Sequence, residues 1–144
     1  MIGKIKNTII EKGVRIVQVT LNEIEAYLAE VKEAIRSNRY RIELNSRRQD
    51  NMNLFIDFVI DEAKAKNILL GLTSTDFSEI LNNEHKGYEH ERLYVFEKDA
   101  ELLERAGDSY RTVSLYIKLN KLEDSYVIVV SMHEQRYSIK YYFK

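Results

Sequence analysis

The sequence predicts an α+β domain, with helices packed on one side of an antiparallel β-sheet. Three observations carry this expectation. Apolar residues recur at spacings of three and four over residues 20–37, and helical segments follow between 50 and 82. Near residue 90 the apolar period drops to two, so that Val113, Leu115, Ile117 and Leu119 alternate with Ser114, Tyr116, Lys118 and Asn120. Helices come first and strands last, an order that segregates the helices to one face of a sheet.

The elements follow in order. Residues 1–19 form an apolar–polar leader, a strand or a hairpin through Gly13 with Val14, Ile16, Val17 and Val19. Thr20 and Glu23 make a capping box, and Leu21, Ile24, Leu28, Val31 and Ile35 line one helical face to about Ser37-Asn38. Tyr40, Ile42 and Leu44 alternate with Arg39, Arg41 and Glu43 as a short strand or extended link. A second helix opens at Asp50-Asn51, runs through Phe55, Phe58, Val59 and Ala63, and continues or restarts through Ile68, Leu69 and Leu70. Thr75-Asp76 caps a shorter turn carrying Phe77, Ile80 and Leu81. After a polar loop at 82–90, residues 92–97, 111–120 and 126–134 read as strands, with the charged stretch 97–109 as an insertion between the first two.

At 144 residues the chain is one domain, residues 1–144. It has no cysteine, which excludes a disulfide, a thiolate nucleophile and a cysteine-ligated metal, and suits a reducing cytoplasm. The first ten residues lack the continuous apolar core of a signal peptide, and no apolar run approaches ~18 residues, so no membrane span is expected. Five dispersed glycines exclude a P-loop or dinucleotide fingerprint, and Ser114 and Ser131 lack a nucleophile-elbow context. His85 and His90 lie in a polar loop without partners at metal-ligand spacing, so no metal and no cofactor is expected.

The net charge of −1 points to no partner, but the charges are unevenly spread. Arg36, Arg39, Arg41, Arg47 and Arg48 face one acid, Glu43, and Arg136, Lys140 and Lys144 face Glu134. A polyanion can be met by such basic segments while the acids at 23–33 and 97–108 stay in solvent; two ordinary solvated faces produce the same pattern.

The last two strands hold the chemistry. If they pair as a hairpin, Tyr116, Lys118, Ser131 and His133 share one surface, offering a hydroxyl, a cation and a residue type that titrates near neutrality. Opposed residues of an antiparallel pair have numbers of constant sum. A two-residue turn at Asp124-Ser125 gives the sum 249 and sets Tyr116 opposite His133. A four-residue loop at 121–124 gives 245 and pairs Tyr116 with Val129, leaving His133 roughly 13 Å along the strand. Both registers remain open at this stage.

The succession Leu70-Gly71-Leu72-Thr73-Ser74-Thr75-Asp76-Phe77, Arg92-Leu93-Tyr94-Val95-Phe96, Leu115-Tyr116-Ile117-Lys118-Leu119, Val130-Ser131-Met132-His133-Glu134 and Tyr137-Ser138-Ile139-Lys140-Tyr141 resembles the MqsR family of toxins, within the RelE-like superfamily. The resemblance covers roughly residues 20–143, with 1–19 and 97–109 as additions. It implies a RelE-like fold, metal-independent cleavage of messenger RNA in the cytoplasm, and restraint by a partner antitoxin. The family's active-site tyrosine falls on Tyr116 and a strand-end lysine falls on His133. A lysine after the Asp-Phe pair falls on Glu79 and a glutamine near Glu91, so two positions turn acidic. The expected catalytic set is Tyr116, Lys118, His133 and Arg136, with Arg39, Arg41, Arg47, Arg48 and Lys140 against RNA. The competing expectation is a RelE-like binding or regulatory module, of mobile-element or phage origin, that does not cut.

Overall fold

The structure, a computed structural model, describes residues 8–11, 14–107 and 109–144. Strands β1 (Thr8–Glu11) and β2 (Val14–Val17) pair antiparallel, the hairpin among the two forms expected of the leader, and Gly13 itself lies outside the described residues. Helix α1 (Leu21–Arg36) starts where the capping box predicts: Thr20 Oγ1 accepts from Glu23 N at 3.1 Å, and Thr20 N donates to Glu23 Oε1 at 2.8 Å. It ends in a Schellman motif, with Asn38 at φ 61° and Arg39 N donating to Ala34 O at 2.8 Å.

After β3 (Tyr40–Ile42) come α2 (Gln49–Asp57), the two-residue β4 (Phe58–Val59) and α3 (Glu62–Leu70). Then follow β5 (Phe77–Asn82), β6 (Arg92–Glu104), β7 (Tyr110–Lys121) and β8 (Val127–Glu134). The main sheet is curled and six-stranded, in the order β3-β8-β7-β6-β4, with β5 also on β6. One core joins the buried faces of all three helices to Val113, Leu115, Ile117 and Leu119 on one side of the sheet. No helix among the described residues is long and apolar enough to cross a membrane.

Four features differ from the sequence expectation. Phe58 and Val59, expected within the second helix, form β4 and pair with Glu104 and Leu103, so that α2 and α3 are separate helices. The sheet is mixed rather than antiparallel, because β3 runs parallel to β8, with Tyr40 beside Val127 and Ile42 beside Val129. The direction of such a distant pairing has no local signature. Residues 77–82 are strand, not helical turn: Phe77 pairs with Phe96 and Glu79 with Val95, leaving Ser78 as a bulge. That extra residue puts the buried Phe77 and Ile80 three apart, the spacing of a helix. Residues 97–104 continue β6 in register with β7 as far as Leu103 opposite Tyr110. Beyond them Arg105 donates to the carbonyls of Phe55, Ile56 and Phe58, closing the C-terminal end of α2.

Candidate functional site

The face of the sheet turned away from the core is built here by β7 and β8, and it is partly covered, with Ser131 and Glu97 buried on it. Their turn is a three-residue loop: Leu122 N donates to Tyr126 O, and Ser125 takes φ 66°. Lys121 therefore opposes Val127 and Leu119 opposes Val129, a sum of 248 that neither expected register has. Beyond Leu119 the register shifts, so that Lys118 opposes Ser131, Ile117 opposes Met132 and Tyr116 opposes His133, a sum of 249. Val130 is the extra residue.

This bulge decides what the face carries. Val127 and Val129 point into the core; with unbroken alternation Ser131 and His133 would follow them. The bulge exchanges the parity, so fully buried Met132 fills the core and His133 stands on the face of Tyr116. Asn51, only 1% exposed at the start of α2, holds the bulge in place. Its Nδ2 donates to Val130 O at 3.0 Å and to Glu43 O at 2.8 Å, and its Oδ1 accepts from Met132 N at 2.9 Å. The side chain thus continues the hydrogen bonding of β3, whose last contact is Glu43 N to Val129 O at 3.1 Å.

Tyr116 and His133 stack with ring centroids 5.3 Å apart and planes 16° from parallel. His133 Nδ1 lies 3.0 Å from Glu134 O. Burial first, and then the carboxylate of Glu79, raise the pKa of Tyr116 above its ordinary value and keep its hydroxyl protonated. Lys118, one residue pair further along, has its pKa lowered by burial and by Arg48, opposed by Glu79 and Glu84. Its ammonium has no hydrogen bond or ion pair among the described residues.

Lys118 lies in a groove of about 640 Å³ between the sheet and the loop at 83–91. Arg41 and Arg48 reach it from the β3 side, and His85 and Tyr88 from the loop. Glu91 is pinned there by Asn120 Nδ2 at 2.8 Å and Asn83 Nδ2 at 3.1 Å, both on Oε1. His133 and Arg136 line a separate cavity of about 260 Å³ with Asp50 and Asp57.

The expected site residues are therefore divided. Tyr116, Lys118 and His133 share one face, while Arg136 lies past the end of β8, ion-paired to Asp50 at 2.5 Å. Of the basic set, Arg48 and Arg41 enter the groove, Arg41 tied to Glu43 at 2.7 Å. Arg39 donates to Ser125 O at the hairpin turn, and Arg47 is exposed. Lys140 is exposed in the C-terminal segment, where its carbonyl accepts from Ser78 Oγ. The neighbours of Tyr116 on β5 and β6 are acidic: Glu97 directly opposite, with Asp99 and Glu79 on the same face. Among the described residues no group of three or more His, Asp or Glu is arranged to hold a metal ion.

Sequence reasoning missed Asn51, the Val130 bulge and the Glu91 clasp. Asn51 had a readable signal, since it stands three and seven residues before Leu54 and Phe58, a polar residue on an apolar helical stripe. The bulge had none, because Val127-Ile128-Val129-Val130 is uniformly β-branched.

No protein-family model matches the chain, and neither a curated protein nor a solved structure matches it.

Proposed function

We propose that the protein is a RelE-like toxin of the MqsR type: a cytoplasmic, metal-independent endoribonuclease that cleaves messenger RNA and is neutralised by an antitoxin protein. The observation that carries this reading is the direct opposition of Tyr116 and His133, with Lys118 on the same face.

Cleavage without metal needs a base for the 2′-hydroxyl proton, an acid for the leaving 5′-oxygen, and cations around the phosphorane. His133 is the base. As it takes the proton, the 2′-oxygen attacks phosphorus, the bond to the 5′-oxygen breaks, and a 2′,3′-cyclic phosphate forms. Tyr116, kept protonated by burial and Glu79, donates to the 5′-oxygen or positions the ribose. Lys118 and Arg48 supply positive charge, and the need for a 2′-hydroxyl confines the reaction to RNA. Arg136, neutralised by Asp50, takes a lesser part. Expression of the chain alone tests the proposal: growth should stop, and transcripts should acquire new ends with 2′,3′-cyclic phosphate. Unaffected growth with intact transcripts, and no partner co-purifying from the native locus, would count against it.

A second reading, a RelE-like module that binds without cutting, is favoured by the acidic surroundings of Tyr116. Glu79, Glu97 and Asp99 on one face repel a polyanion. RNA binding without strand scission would select this reading.

A further inference from the structure

We propose that the groove beneath the 83–91 loop is a nucleotide subsite: the phosphate of one nucleoside monophosphate unit lies between Lys118 and Arg48, and its base lies on the apolar surface of Leu81, Leu93, Ile128 and Tyr88. The inference deepens the ribonuclease reading and rests on it for the source of the nucleotide, not for the chemistry of the site.

Two cations of the cavity, Lys118 and Arg48, are left without an ion-paired carboxylate, whereas the other basic side chains nearby are paired. Arg41 is neutralised by Glu43, Arg136 by Asp50, Arg111 by Glu104 and Glu134, and Lys121 by Glu30. Lys118 and Arg48 line one cavity together with Glu84 and Glu91; Glu79 and Glu84 act on Lys118 from a distance, and neither cation has a carboxylate within ion-pair distance among the described residues. Two like charges held together on a partly desolvated wall are complemented by one multivalent anion, and phosphate accepts from an ammonium and a guanidinium at once.

The rest of the cavity identifies the body attached to that anion. Its volume of about 640 Å³ is that of a small-ligand pocket, far more than an inorganic ion fills. Three aliphatic side chains and the ring of Tyr88 line the same cavity, apolar surface on which a flat ring can lie. In the same cavity, Glu91 Oε1 accepts from Asn83 and Asn120, and its Oε2 carries no bond among the described residues. A fixed acceptor beside a ring-sized slot selects an exocyclic amine. Adenine, cytosine and guanine have one and uracil does not, whereas an acyl chain would leave this acceptor unused.

The test is calorimetric titration of the full-length His133→Ala protein with inorganic phosphate, adenosine, AMP, CMP, GMP and UMP. The amine-bearing monophosphates should bind at least about tenfold tighter than phosphate, adenosine or UMP. Adding Arg48→Gln or Lys118→Met should weaken AMP about tenfold each and leave adenosine unchanged. Phosphate binding as tightly as AMP, or AMP binding untouched by both substitutions, would overturn the subsite. AMP that competes with RNA cleavage by the wild-type protein identifies the strand as the source. AMP binding beside RNA left whole keeps the subsite, with a free nucleotide as ligand, and removes the ribonuclease reading. RNA cleavage with no monophosphate binding does the reverse.

Discussion

Tyr116 and His133 stand directly opposite each other on β7 and β8, their rings stacked at 5.3 Å, with Val130 taken up as an extra residue in β8. For the intact chain, a single bulge therefore separates a strand that buries His133 from one that displays it. Deleting Val130 should leave a continuous register in which Ser131, Met132 and His133 still oppose Lys118, Ile117 and Tyr116. The expected result is a protein that keeps His133 on the face of Tyr116 and keeps its activity, with a lower melting temperature from the disturbed Asn51 contact to Val130 O. A Val130 deletion that turns His133 into the core and abolishes activity would contradict this register.

Asn51 should be the polar side chain whose loss destabilises the domain most. Asn51→Ala strands Val130 O and Met132 N at a buried strand edge, and each orphaned group costs about 1–3 kcal/mol. Denaturant titration should show a loss of roughly 2–4 kcal/mol. Asn51→Asp should be worse than a neutral isostere, because Val130 O and Glu43 O then meet a carboxylate rather than an amide donor.

Lys118 should trade stability for function. Its folded pKa lies below that of the unfolded chain, so in the window between the two values the unfolded state binds more protons, and stability rises with pH. Below the folded value the cost of the buried charge is fully present. Lys118→Met should thus raise the melting temperature at neutral pH while weakening RNA binding. Activity that depends on the ammonium should fall as pH climbs through its depressed pKa, and Lys118→Arg should move that fall to higher pH. A melting temperature lowered by Lys118→Met would contradict this balance.

Two substitutions should be mild. Arg136→Ala removes an exposed ion pair with Asp50, worth about 0–1 kcal/mol, and should cost less cleavage than Lys118→Ala. Tyr116→Phe leaves the stack on His133 and removes one hydroxyl, a loss of about tenfold if that hydroxyl only positions the ribose. Melting curves and initial cleavage rates decide both.

What was legible in the sequence was whatever depends on neighbours. The Thr20–Glu23 capping box and the stripe from Ile24 to Ile35 announced α1 almost to the residue, and strict alternation from Val113 to Asn120 announced β7 and its two faces. What depends on remote partners or on a single inserted residue was not legible. The parallel pairing of β3 with β8 joins segments almost ninety positions apart. The Ser78 bulge gave β5 a helical spacing, and the Val130 bulge hid in a run of β-branched residues. For the site, alternation alone placed Tyr116 and Lys118 together. The convergence of Lys118 with Arg48, and of the loop carrying Tyr88 on the same cavity, needed the fold.

The most direct test of the proposed chemistry compares the wild-type protein with His133→Ala on the same RNA in the presence of a chelator. Wild type should cut and leave 2′,3′-cyclic phosphate ends, and His133→Ala should be slower by the ~10²–10⁴ of one general acid or base, with an unchanged melting curve. Equal RNA decay in the two proteins, or decay that the chelator abolishes, would contradict the assignment and leave His133 as a structural residue at the end of β8.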